Sequence, residues 1–233
     1  MSLSFSSLAR RVSGRIAAWR ANDSETRRLW QERELRGRSS ETDFEGELAL
    51  LDRNSICIDL GANVGDVTER LAAVAGHVHA FEPDPWAFEQ LERRARSWDN
   101  VTLHRRAMGA AAGTATFFRD PKFDEAPGMR SQGTSAFHSI LWRGKGEPFE
   151  VEVVGIEAFL SSLDRDVALI KMDIEGGEVA ILEALLGSPS AERIGAIFAE
   201  THECQIRELR RPIADLRRRA TQIAAPRLYL DWH

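Results

Sequence analysis

The chain has 233 residues, 43% hydrophobic and 29% charged, which suits one domain with a full core and some appended elements. No apolar run approaches the roughly 20 residues of a membrane-crossing helix. The net charge of −5 hides a gradient, with +5 on residues 1–40, −13 on residues 41–200 and +3 on residues 201–233. Phosphate backbones seek positive surface, so the acidic body argues against nucleic acid as a partner. Cys57 and Cys204 give neither a disulfide framework nor a zinc pattern, and a reducing cytoplasm is the expected setting.

Residues 1–40 read as a basic, charged helical extension of a domain over residues 41–233. In the first 20 residues Arg10, Arg11, Arg15 and Arg20 occur without an acid, and Phe5, Leu8, Val12, Ile16 and Trp19 fall on one helical stripe. Three readings stay open: a docking or dimer-forming helix, hence a homo-oligomer; a basic helix on a membrane surface; or a transit peptide. Residues 21–40 mix charges densely, as a solvated helix or linker does. Thr42 with Glu45 predicts a capping box opening a helix that turns Phe44, Leu48 and Leu51 inward.

From residue 55 the pattern alternates. Strands are expected at 56–60, 77–82, 101–106, 168–173 and 195–200, and helices at about 66–75, 85–97, 177–186 and 205–219. Asp84-Pro85 is an N-cap followed by a proline at the first helical position, and Gly76 and Gly187 sit where helices end. Short apolar strands between helices predict a doubly wound α/β fold, with a mostly parallel sheet covered on both faces. Residues 109–160 break the pattern: Thr114–Phe118 and Phe149–Val154 alternate like exposed strands about a long loop, as an inserted hairpin or lid would. Phe137 and Trp142 in that insert suit either stacking on a sugar or ordinary packing. Arg227–Asp231 reads as a last strand.

The first of these units carries the most information. Cys57-Ile58-Asp59-Leu60 is a buried-type strand that runs straight into Gly61-Ala62-Asn63-Val64-Gly65, and the second strand ends on Glu82-Pro83. A strand, a glycine turn, a helix and an acid on the next strand grip a nucleoside, the acid accepting hydrogen bonds from ribose hydroxyls. Asn63 stands where a diphosphate-binding loop needs glycine. That argues for a nucleoside without a diphosphate, with S-adenosylmethionine (SAM) as the candidate.

Five ordered blocks then resemble the FkbM family of SAM-dependent methyltransferases, over roughly residues 43–203. They are Ile58-Asp59-Leu60-Gly61-Ala62-Asn63-Val64-Gly65, Ala80-Phe81-Glu82-Pro83, Ala107-Met108-Gly109 with Gly113, Lys171-Met172-Asp173-Ile174-Glu175-Gly176-Gly177-Glu178, and Glu200-Thr201-His202. The resemblance implies a class I methyltransferase (Rossmann-like) fold, a seven-stranded sheet with one antiparallel strand near its end. It also implies methylation of a hydroxyl on a sugar or natural-product-like small molecule. Only 33 residues follow Glu200, so the last strand pair is expected to be shortened or rearranged.

For the cofactor, Asp59 would hold the methionine ammonium, directly or through water. Gly61 and Gly65 would offer backbone N–H groups to the carboxylate, Asn63 an amide, Glu82 a ribose acceptor, and the backbone at Ala107 an adenine contact. Asp173, at the end of the fourth strand, would line the same site. For catalysis, Asp173 or His202 would take the hydroxyl proton, helped by Glu175, whereas Glu178 reads as structural. No residue is assigned to a metal, although a divalent ion on Asp173 and Glu200 is an alternative activator that chelation would reveal. His77 and His79 share a strand face and read as core or surface residues. Two other classes remain open: a catalytically silent SAM-binding or scaffold protein, and an NAD-dependent oxidoreductase.

Overall fold

The computed structural model describes residues 24–120, 122–125, 127–131 and 146–232. The stripe expected over residues 1–20, and Phe137 and Trp142, lie outside the described residues.

Strand β1 (Ile56–Leu60) is buried along its whole length. It pairs in parallel with β2 (His77–Phe81) on one side and, over Val167–Met172, with the strand that arrives after the insert on the other. Helix α3 (Asp66–Val74) joins β1 to β2, and α4 (Pro85–Ala95) joins β2 to β3 (Val101–His104). Asp84 caps α4 as expected: its Oδ1 accepts from the backbone N–H of Trp86 at 2.8 Å and of Ala87 at 3.0 Å. Before β1 stand α1 (Ser24–Arg36) and α2 (Ser40–Leu48). The capping box expected at Thr42 is not what opens α2. The helix already runs from Ser40, where the Ser40 hydroxyl donates to the Gly37 carbonyl, and Phe44 and Leu48 point inward.

The insert forms its own sheet. Strands β4 (Ala107–Gly109), β5 (Gly113–Arg119) and β6 (Glu147–Gly155) lie in the order β4-β6-β5, with β5 and β6 antiparallel. The short α5 (Pro127–Arg130) follows β5, and α6 (Ile156–Ser162) follows β6. The chain then returns to the main sheet through β7 (Val167–Met172), α7 (Glu178–Leu186), β8 (Ile194–Ala199), α8 (Arg210–Ala220) and β9 (Arg227–Tyr229). Helix α8 starts five residues later than expected, after a short 3-10 turn at Arg207–Leu209. Pro212 sits in its first turn, the part of a helix where a missing N–H costs nothing.

The main sheet runs β3-β2-β1-β7-β8-β9. Its alternating side chains make two apolar layers. Ile58, Leu60, Ile170, Met172 and Ile197 pack against α6, α7 and α8, while Cys57, Leu169 and Phe198 pack against α2 and α3. The doubly wound α/β architecture is thus as expected, with one correction at its edge. Strand β9 is parallel to β8, pairing Ala196 with Arg227 and Phe198 with Tyr229, and no antiparallel strand joins this sheet among the described residues. A single helix, α8, links β8 to β9, and a helical crossover returns the chain in the same direction. The Cys204 side chain is buried.

Candidate active site

Strand order reverses beside β1, which has β2 on one side and β7 on the other. Such a switch point opens a crevice at the carboxyl ends of the strands. A cavity of about 360 Å³ lies there. Gly61, Asn63, Glu82, Ala107, Asp173, Glu175 and His202 all line it, whereas Asp59 and Gly65 do not.

The turn after β1 is built for close approach. Gly61 has φ +75°, and a Cβ on it would lie 1.8 Å from the Asp173 carbonyl oxygen, so only glycine lets the β1 and β7 ends meet. Gly65, with φ +95°, serves packing in the same way, since a Cβ would meet Leu91 Cδ1 at 2.7 Å. Both glycine N–H groups are committed within the protein, Gly61 to the Phe81 carbonyl at 3.0 Å and Gly65 to the Ala62 carbonyl at 2.9 Å. Asn63 also has positive φ, +49°, and its Oδ1 accepts from the Val64 N–H at 2.8 Å.

Asp59 is completely buried behind the cavity wall. It accepts from the Thr68 hydroxyl at 2.6 Å and pairs with Lys171 Nζ at 3.1 Å. Lys171, directly opposite Asp59 in the β1–β7 register, faces the cavity and donates to the Gly61 carbonyl at 2.7 Å. Asp59 therefore braces the turn through Lys171. A lysine inside the otherwise apolar Val167–Met172 strand was the signal for this pair, because a buried ammonium demands a partner.

Glu82 closes β2 with its carboxylate fixed at both ends. One oxygen accepts from the Asn63 N–H and the other from the Asp84 N–H, each at 2.8 Å. Burial pushes its pKa up to about 7, against these two hydrogen bonds. Asp84 in turn is gripped by Arg119 of β5, Nη2 to Oδ2 at 2.9 Å, which ties the second sheet to the site. Ala107 and Met108 of β4 add an apolar wall beside Glu82.

At the far side, β7 and β8 deliver the charged cluster. Glu175 stands in the turn before α7 with φ +56°. His202 is 2% exposed. Its Nδ1 lies 2.9 Å from Glu178 Oε1, and its Nε2 lies 3.3 Å from Glu175 Oε2 and 3.9 Å from Asp173 Oδ1. Burial disfavours the imidazolium, yet Glu178 and Glu175 outweigh it and hold the pKa well above the ordinary histidine value. Burial drives Glu175 upward, although His202 opposes this. Glu178 has the structural task expected of it, accepting also from the N–H groups of Ile174 and Gly176 at the start of its own helix.

Glu200 also lines the cavity, but Arg33 holds it: Nη2 meets Oε1 at 2.5 Å, and Nη1 donates to the Thr201 carbonyl at 2.8 Å. The pairing of Glu200 with Asp173 as two metal ligands gives way to a different grouping, in which ligand atoms of Asp173, Glu175 and His202 lie within 4.8 Å of one another. Arg33 was read as part of a solvated segment, and helix periodicity carries no sign of a partner 167 residues away. His77 and His79 have a third histidine beside them, His104 from β3. The His79 and His104 rings pack with Phe159, and His104 stacks on Phe81. Burial lowers the His79 pKa to about 4, with His77 and His104 adding.

Several solved structures are similar in outline. The Streptococcus mutans protein SMU.1697c, in complex with SAH, is 12% identical with a TM-score of 0.47, covering 78% of this chain and 81% of that one. An rRNA methylase from Streptococcus thermophilus is 14% identical with a TM-score of 0.39, covering 70% and 71%. Methyltransferase FkbM from Methylobacillus flagellatus is 19% identical with a TM-score of 0.37, covering 77% of this chain and 45% of that one. No curated protein matches the chain. Among the described residues no helix is long and apolar enough to cross a membrane. The family model described as the Methyltransferase FkbM domain matches residues 59–217, more than half of the chain, and the chain therefore belongs to the FkbM methyltransferase family.

Proposed function

We propose that the chain transfers a methyl group from SAM to a hydroxyl of a small molecule of the sugar or natural-product class. The carrying observation is that one cavity holds Glu82 at the end of β2 and the Asp173–Glu175–His202 cluster at the ends of β7 and β8. The residues fit the cofactor. Both oxygens of Glu82 retain acceptor capacity beyond one backbone N–H each, which ribose hydroxyls would use. Phe81, Ala107 and Met108 offer an apolar wall for the base, and the carboxylates of Asp173 and Glu175 favour a ligand with positive charge. Asn63 argues against a diphosphate, because its side chain is already used to close the turn.

When bound, SAM supplies a methyl group activated on a sulfonium. The chain's own residues position, dehydrate and deprotonate. Lys171, braced by Asp59, fixes the Gly61 turn, and Glu82 sets the height of the nucleoside. An alcohol is a poor nucleophile until it loses its proton, so a base within hydrogen-bond reach is required. Asp173 takes that role from its place on the cavity at the end of β7, beside Glu175 and His202. Ala115, Phe117 and Val153 of the second sheet wall the remaining space, which supports a role in acceptor choice for the 109–160 insert.

A panel of hydroxyl-bearing acceptors, incubated with the chain and SAM, tests this by the S-adenosylhomocysteine (SAH) formed. Acceptor-dependent SAH is the expected result. Binding of NAD without binding of SAM, or SAM binding with no turnover on any hydroxyl, would overturn the proposal.

A further inference from the structure

We propose that Asp173, Glu175 and His202 form a site for one divalent first-row cation that acidifies the acceptor hydroxyl. The role of the ion rests on the methyl-transfer reading; its binding does not.

The geometry of the donors comes first. One imidazole nitrogen and two carboxylate oxygens converge within 4.8 Å, with Nε2 at 3.3 Å from Glu175 and 3.9 Å from Asp173. An ion bonded at about 2.1 Å puts adjacent donors roughly 3 Å apart and opposed donors roughly 4 Å apart. The spacing is that of a coordination shell.

The orientation of His202 is an independent observation. Its ring meets Glu178 through Nδ1 at 2.9 Å. Its Nε2, on a ring 2% exposed, faces the carboxylates of Glu175 at 3.3 Å and Asp173 at 3.9 Å. The nitrogen is aimed between them, where a cation would sit. Glu178 is the outer partner that metal-bound histidines use to fix the ring. Its Oε1 is itself held by Ile174 and Gly176, and its buried Oε2 has no hydrogen-bond partner among the described residues.

Three ligands leave the remaining coordination positions open toward the cavity, which Asp173 and Glu175 both line. Mixed imidazole and carboxylate donors suit Mn²⁺, Fe²⁺ or Zn²⁺. A cation there draws charge from the acceptor oxygen and lowers its pKa. The O–H bond then breaks with its proton passing to water, and the new O–C bond forms as the sulfur–methyl bond breaks, leaving a neutral thioether. The ion displaces the Nε2 proton of His202 to solvent as it binds, Asp173 becomes a ligand, and water takes the hydroxyl proton.

The test is titration of the chelator-treated full chain with Mn²⁺, read by the paramagnetic resonance of the free ion. One ion per chain is expected, with a dissociation constant on the order of 0.1–1 mM or tighter. Asp173→Asn, Glu175→Gln and His202→Asn should each weaken it at least about tenfold, and Glu178→Gln by roughly 10–100-fold. Glu175 is only partly buried, so its variant keeps the test open if a buried one fails to fold. Absence of saturable Mn²⁺ binding, or equal affinity in those three ligand variants, overturns the site. Calorimetry with SAH on the same samples separates the two proposals, since a chain that takes up Mn²⁺ but not SAH keeps this site and loses the cofactor reading.

Discussion

Glu82 and Asp59 are both buried strand-end acids, and their partners set them apart. Glu82 opens on the cavity with its pKa pushed to about 7 from an ordinary 4.5. The folded, ligand-free protein thus binds this proton more tightly than the unfolded chain does. Its contribution to stability falls as pH rises from about 4.5 through 7. Ribose hydroxyls prefer the ionised form, so SAH affinity should climb about tenfold between pH 6 and pH 8. A Glu82→Gln variant should bind more weakly and lose that slope, as calorimetry across the range would record. Asp59 was equally conspicuous at the end of its strand, but it answers Lys171. Asp59→Ala leaves a buried ammonium uncompensated, and urea denaturation should show a loss of about 3–5 kcal/mol. Adding Lys171→Met should recover much of it. A strand-end carboxylate is visible in sequence; whether it faces a ligand or a lysine depends on the register of the neighbouring strand.

At the level of elements, the alternation of β1, α3, β2 and α4 was legible because each piece carries its own signal: an apolar run, a glycine turn, the Asp84-Pro85 cap. Helix α1 carried none. Arg33 is its buried residue, and charged contacts hold it: Arg33 to Glu200, Arg36 to Asp231 at 3.0 Å, and Arg210 back to Glu25 at 2.6 Å. Arg33→Met should strand Glu200 without its cation and cost about 3 kcal/mol. In hydrogen exchange, α1 and the turn at residues 200–203 should then open well before the rest of the sheet. The glycine turn makes a second element-scale prediction. Gly61→Ala puts a methyl into the Asp173 carbonyl and adds strain at positive φ, so stability and SAH binding should fall together in calorimetry and thermal melts. Had Gly61 served only the ligand, binding alone would change.

Across the whole molecule, the parallel sheet places everything chemical at one edge. The first two strands bring Glu82, the next two bring the charged cluster, and the small β4-β6-β5 sheet walls the cavity. Pattern reading reached the core of this sheet, since strand period and buried runs are local properties. It did not reach the parallel β9, because the direction of an edge strand is set by how α8 crosses over. The account stands on the nucleoside lying against Glu82 with its sulfur toward Asp173. A crystal structure of the complex with SAH measures this directly. We expect both ribose hydroxyls within hydrogen-bond distance of the Glu82 carboxylate and the adenine against Ala107 and Met108. A cavity still empty at saturating SAH, or a nucleoside bound away from Glu82, would contradict the account.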